Sequence, residues 1–147
     1  MIKPPGNNII EEAQRAENLA PSLSLDTPGI AATFDFVGLH LMASYEACKL
    51  DALLNFAELR RQMEAGIAAS GAILLGVNEH VFPNGGYTAL FLLAESHASI
   101  HTYPEHRSCF IDIFTCGLGC KPEKLDESMR AHLSPSKVKA ETITRGG

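Results

Sequence analysis

The sequence contains no apolar run approaching the roughly 20 residues needed to span a bilayer, so no membrane partner is expected. Basic residues are scarce. Twelve Lys and Arg face 17 Asp and Glu, for a formal charge of -5, and they form no long stripe, which argues against a nucleic-acid surface. The N-terminus lacks the basic-then-apolar order of a secretory signal, so a cytoplasmic location is the expectation. Cysteine is sparse too: Cys48, Cys109, Cys116 and Cys120 are too few and too irregular for a secreted disulfide scaffold. Reduced thiols are expected, with Cys48 and Cys109 as buried, inert ones. Internal repeats and low-complexity segments are missing as well. What remains is an ordinary globular composition, 46% hydrophobic and 20% charged over 147 residues, enough for one domain with a real core.

The first thirty residues hold Pro4, Pro5, Pro21 and Pro28 among Gly and Asn and read as a flexible extension, with a short helix allowed at 9–19. The domain is assigned to 31–147. Residues 33–44 are β-branched and aromatic at the start and partly alternating, a strand signal. Residues 51–70 carry helical spacing, with Leu54, Leu59, Met63 and Ile67 on one face and Gly71 as a stop. Residues 72–82 and 87–94 are strands joined at Pro83-Asn84-Gly85-Gly86, a turn between apolar runs, so they pair as a hairpin. Further strands are expected at 99–103 and 108–116, a helix with Pro122 in its first turn at 121–133, and a last strand at 137–144. The order β-α-β-β-β-β-α-β, with short turns between most strands, predicts an α+β two-layer sandwich: a mainly antiparallel sheet with two helices on one face.

Chemistry concentrates in Ala94-Glu95-Ser96-His97-Ala98-Ser99-Ile100-His101-Thr102-Tyr103-Pro104-Glu105, followed by Phe114-Thr115-Cys116-Gly117. This stretch supplies a hydroxyl nucleophile, imidazoles and a thiol, three groups suited to covalent and acid–base catalysis. His97, His101, Cys116 and Cys120 have His-x3-His and Cys-x3-Cys spacing, but without the commoner Cys-x2-Cys ribbon spacing no metal is assigned.

The order of these residues resembles the small prokaryotic, pyruvoyl-dependent S-adenosylmethionine decarboxylases. Gly38-Leu39-His40 falls where that family has Gly-Arg-His, residues 46–55 resemble its Cys-Asp-x-x-x-Leu-x-Asp/Asn region, and residues 82–88 occupy the place of its Phe-x-Pro-x-Gly-Val-Ser loop. The likeness runs from Gly38 to about Gly117. It implies a proenzyme that cuts itself between Glu95 and Ser96. Ser96 Oγ would attack the Glu95 carbonyl to give an ester. Loss of the Ser96 α-hydrogen then expels the carboxylate by β-elimination. The resulting dehydroalanine becomes a pyruvoyl group, which in the family forms a Schiff base with the substrate amine and takes up electrons as carbon dioxide leaves.

By the same resemblance His101 is the processing base that removes the α-hydrogen, assisted by Thr88, and Cys116 is the acid that reprotonates the decarboxylated carbon. Phe82 and Tyr103 match aromatic positions at the adenine pocket, and Glu105 a carboxylate that accepts from ribose hydroxyls. A homodimer of processed protomers, with active sites near the subunit interface, is implied as well. The chain departs from the pattern at four places. Thr88 replaces a serine, which implies slower processing, and Ala89 replaces a glycine beside it. Leu39 replaces an arginine and Tyr103 a tryptophan, and both bear on substrate identity. A pyruvoyl-dependent decarboxylase of arginine or ornithine, and an unprocessed non-catalytic homologue, are the alternatives these departures leave open.

Residue by residue, blander roles stand beside these. Ser96 and His101 would otherwise be ordinary strand residues, Cys116 a small buried hydrophobe, Phe82 and Tyr103 core, and Glu105 a solvated turn residue. His97 is read as structural or assisting, and His40, His80, His106 and His132 receive no role. In one regular strand Ser96 and His101 would face opposite ways, so a kink is expected at the cleavage bond.

Overall fold

The computed structural model describes residues 36–147; the expected extension and the 9–19 helix lie outside them. Six strands form one sheet: β1 (Val37–Glu46), β2 (Leu74–Val81), β3 (Tyr87–Leu93), β4 (Ser96–Tyr103), β5 (Ser108–Thr115) and β6 (Lys137–Gly146). Their spatial order is β2-β3-β4-β5-β1-β6, and every neighbouring pair is antiparallel. Among the described residues three helices accompany the sheet: α1 (Leu50–Leu54), α2 (Phe56–Ala69) and α3 (Glu123–Leu133). The α+β sandwich is therefore observed, with one helix more than expected.

The single helix expected over 51–70 is divided at Asn55. Its backbone leaves the helical region (φ -90°, ψ 80°), and its side-chain oxygen accepts from Glu58 N–H. Asparagine at that position satisfies a donor that the first turn of a new helix leaves free. The break changes which residues face inward. Leu59, Met63 and Ile67 are buried as the spacing requires, but Leu54 is exposed and Leu53 takes the inward place.

Alternation in the strands then sorts the sheet into two faces. Leu41, Ala43 and Tyr45 on β1, Ala89 and Phe91 on β3, Ala98 and Ile100 on β4, and Cys109, Ile111 and Ile113 on β5 join Leu59, Met63, Leu125, Met129 and Leu133 in one core beneath α2 and α3. Cys48 and Cys109 are both buried there as free thiols. Their mutual hydrogen bond, followed by burial, pushes the Cys109 thiol up, and the same bond holds the Cys48 thiol down. The opposite face carries His97, Ser99, His101 and Tyr103 on β4, Phe110, Asp112 and Phe114 on β5, His40 and Met42 on β1, and Leu90 and Leu92 on β3. No described element covers it, and Leu90, Leu92 and Phe110 are each more than half exposed.

Strand β4 starts three residues earlier than expected. The bend falls at Ala94 and Glu95, and from Ser96 onward the pairing with β5 is continuous, Ser96 opposite Thr115 through Tyr103 opposite Ser108. A kink does adjoin the Glu95–Ser96 bond. It does not bring Ser96 and His101 together, because a regular strand separates them.

Candidate active site

The Glu95–Ser96 bond is held from both sides. Ala94 N–H donates to the Ile73 carbonyl at 2.9 Å, and Ile73 N–H donates to Glu95 Oε2 at 2.9 Å, pinning the bend to the start of β2. The Glu95 carbonyl oxygen accepts from Cys116 N–H at 3.1 Å. A hydrogen bond at that oxygen polarises the carbonyl and would stabilise an oxyanion forming on it. Close approach of the Cys116 loop to this bend needs a residue without a side chain at 117: a Cβ there would lie 2.6 Å from Glu95 Cγ and 2.7 Å from Cys120 Sγ. Ser96 Oγ lies 3.2 Å from His97 Nδ1. Cys116 itself is half-buried and sits against β1, where a Cβ at Gly38 would meet its Sγ at 2.9 Å and the Phe114 ring at 2.6 Å. Ser96, Glu95 and Cys116, three of the sequence-predicted residues, thus share one end of the sheet.

The remaining predicted residues gather at the other end of β4. Thr88 Oγ1 and His101 Nδ1 are 3.0 Å apart, because β3 and β4 pair these two residues directly opposite each other. Phe82, Asn84, Gly86, Thr88, His101, Tyr103 and Glu105 line one cavity of about 330 Å³. Phe82 and Tyr103 are exposed here rather than packed in the core; Phe82 meets His80 edge-on and Tyr103 meets Phe110 in the same way. Glu105 stands on a single 3-10 turn, Pro104–His106. An open, two-aromatic cavity with a carboxylate at its rim suits a flat base joined to a sugar diol.

Five residue steps of strand part Ser96 from His101, about 17 Å at the usual rise per residue. Within one chain the nucleophile and the expected α-hydrogen base therefore do not meet.

Between the two ends lies a cluster the sequence reading left without a role. Asp112 on β5 accepts from Ser99 Oγ through one oxygen and lies 3.0 Å from His40 Nε2 through the other. His97 Nε2 is 3.8 Å from that second oxygen. The available signal was Asp112 itself, one carboxylate inside the otherwise apolar run Cys109–Phe114. Among the described residues no group of three or more His, Cys, Asp or Glu is placed to hold a metal ion, and no helix is long and apolar enough to cross a membrane.

The chain resembles known proteins in sequence and in fold. Residues 39–146 match the model of the S-adenosylmethionine decarboxylase family. An S-adenosylmethionine decarboxylase proenzyme of Methanococcus aeolicus is 38% identical over 110 residues, covering 75% of this chain and 94% of that protein. One from Pyrobaculum neutrophilum is 35% identical over 105 residues, covering 71% and 85%. The crystal structure of the adenosylmethionine decarboxylase from Aquifex aeolicus superposes with a TM-score of 0.66 at 28% identity, covering 77% of this chain and 93% of that one.

Proposed function

The chain belongs to the S-adenosylmethionine decarboxylase family, and on that premise we propose that it is a self-cleaving proenzyme whose product decarboxylates S-adenosylmethionine. The decarboxylated nucleoside is the aminopropyl donor for spermidine and related polyamines. The observation that carries this reading is the environment of the Glu95–Ser96 bond. A hydroxyl adjoins a carbonyl whose oxygen already accepts Cys116 N–H at 3.1 Å. That is what an N-to-O acyl shift requires: a nucleophile, and a donor where the oxyanion develops. The relatives' names favour S-adenosylmethionine over arginine or ornithine as substrate, and the aromatic cavity with Glu105 agrees.

In this reading cleavage yields chains 1–95 and 96–147, and Ser96 becomes a covalent pyruvoyl group. Ser96 fits that role because its hydroxyl can be acylated and then lost as a leaving group, while Cys116 lies within one backbone hydrogen bond of the cut. The pyruvoyl group supplies an electron sink for decarboxylation. The chain's own residues do the rest. Phe82 and Tyr103 stack the adenine, Glu105 accepts from the ribose hydroxyls, Thr88 fixes the ring of His101, and the Cys116 thiol delivers the proton that replaces the carboxylate.

A second copy of the chain completes the site. The separation of Ser96 from His101, and a sheet face bearing exposed Leu90, Leu92 and Phe110 that no described element covers, support a homodimer in which each cavity serves the partner's cleavage bond. Residues 31–147 make up the decarboxylase domain, 1–30 an extension from it, and the enzyme works in the cytoplasm with its thiols reduced. Release of labelled carbon dioxide from S-adenosylmethionine, arginine and ornithine, assayed in parallel, tests the proposal. Release from S-adenosylmethionine alone is expected; release only from a basic amino acid would overturn the substrate assignment.

A further inference from the structure

Ser96, His97 and Asp112 stand in the order hydroxyl, imidazole, carboxylate. Ser96 Oγ is 3.2 Å from His97 Nδ1, and His97 Nε2 is 3.8 Å from Asp112 Oδ2. The carboxylate is itself held: Ser99 Oγ donates to Oδ1, and His40 Nε2 lies 3.0 Å from Oδ2. The imidazole is flanked as well, with the Phe114 ring 5.9 Å and the His40 ring 6.3 Å from it, centre to centre. The negative charge of the carboxylate favours the tautomer with its proton on the near nitrogen, Nε2. With the proton on Nε2, toward Asp112, Nδ1 keeps a free lone pair directed at Ser96 Oγ. At 3.8 Å the Asp112 contact is too long for a hydrogen bond. It is close enough for Coulomb attraction once the ring gains a charge.

We propose that His97 is the general base of the first step of self-cleavage, with Asp112 as its positioning residue. The inference rests on the self-cleavage reading above and assigns a step that reading leaves without a base. His97 Nδ1 takes the Ser96 hydroxyl proton as Oγ bonds to the Glu95 carbonyl carbon, and the oxyanion forms on the oxygen facing Cys116 N–H. Collapse breaks the Glu95 C–Ser96 N bond, and the imidazolium returns its proton to the leaving nitrogen. The products are an ester and a free amine; no atom or electron is gained or lost. Asp112 stabilises the imidazolium between the two transfers. His97 Nδ1 is the imidazole nitrogen beside Ser96 Oγ, while His101 of the same chain lies four intervening strand residues away with its Nδ1 on Thr88 Oγ1, so two imidazoles divide two reactions: His97 the acyl shift, His101 the later removal of the α-hydrogen.

The test follows the full-length chain after cell-free synthesis, by denaturing mass spectrometry over time. His97→Gln is expected to slow cleavage about 100-fold, the lower end of what general-base catalysis contributes. Its uncut chain is an amide and should resist hydroxylamine. A His101→Gln chain should instead accumulate the ester, which hydroxylamine splits at Glu95/Ser96. Asp112→Asn is expected to slow cleavage about 10-fold, and to add nothing in a His97→Gln background, because the two act as one unit. Circular dichroism checks that each variant folds. Should His97→Gln not fold, His97→Gly with added imidazole replaces it, and restored cutting supports the proposal while a folded chain that stays uncut counts against it. Wild-type cutting with an indifferent His97→Gln, or a His97→Gln chain that hydroxylamine splits, overturns the inference alone. A wild-type chain that never cuts removes the self-cleavage reading beneath it.

Discussion

In the proposed site Cys116 acts twice, through different atoms. Its backbone N–H donates to the Glu95 carbonyl, while its thiol, in no disulfide, is the proposed proton donor. A side-chain replacement separates the two. Cys116→Ala is expected to leave the cut intact and to lower decarboxylation about 100-fold, measured as kcat on fully processed protein. Glu105→Ala has a different expected signature. Losing an acceptor for the sugar hydroxyls should raise KM for S-adenosylmethionine about 10-fold with cleavage unaffected. Equal loss of cleavage and turnover in either variant would indicate a folding defect instead.

Pairing between elements decides which residues can cooperate. β3 and β4 place Thr88 opposite His101, and the hydroxyl meets the ring at 3.0 Å. Thr88→Val keeps the shape and removes the oxygen, so processing should slow about 10-fold, in line with one lost hydrogen bond to a reacting group. Thr88→Ser should process at least as fast as wild type. On the adjoining β5, Ile113 is fully buried, and Ile113→Ala should destabilise the fold by about 2–5 kcal/mol in denaturant unfolding. Much of this level was legible in the sequence. Apolar runs and alternation marked all six strands to within three residues at either end of the described part, and Pro83–Gly86 marked the hairpin. Asn55 escaped, because a helical period runs across it and a cap is visible only once the backbone turns. Asp112 escaped for a related reason: its partners Ser99 and His40 lie 13 and 72 residues away, and only sheet register brings them together. The motif residues were legible through family resemblance, while their division between two ends of β4 was not, since strand geometry separates what sequence proximity suggests is one site.

For the whole molecule, the unshared burden is the exposed sheet face. Leu90, Leu92 and Phe110 present an apolar surface of the kind that marks an interaction site, and in the proposed function a second chain completes the half-sites at its two ends. Sedimentation should show a dimer of processed protomers. Leu92→Lys should yield monomers that have lost decarboxylation, because the charge must be desolvated in a face-to-face contact. Everything else depends on the cut. Denaturing mass spectrometry of the purified protein is the most direct measurement. The expected result is two chains, residues 1–95 and a second chain from position 96 beginning with a pyruvoyl group. A full-length chain alone, persisting through long incubation of the folded protein, would contradict it and leave a non-catalytic relative of the family.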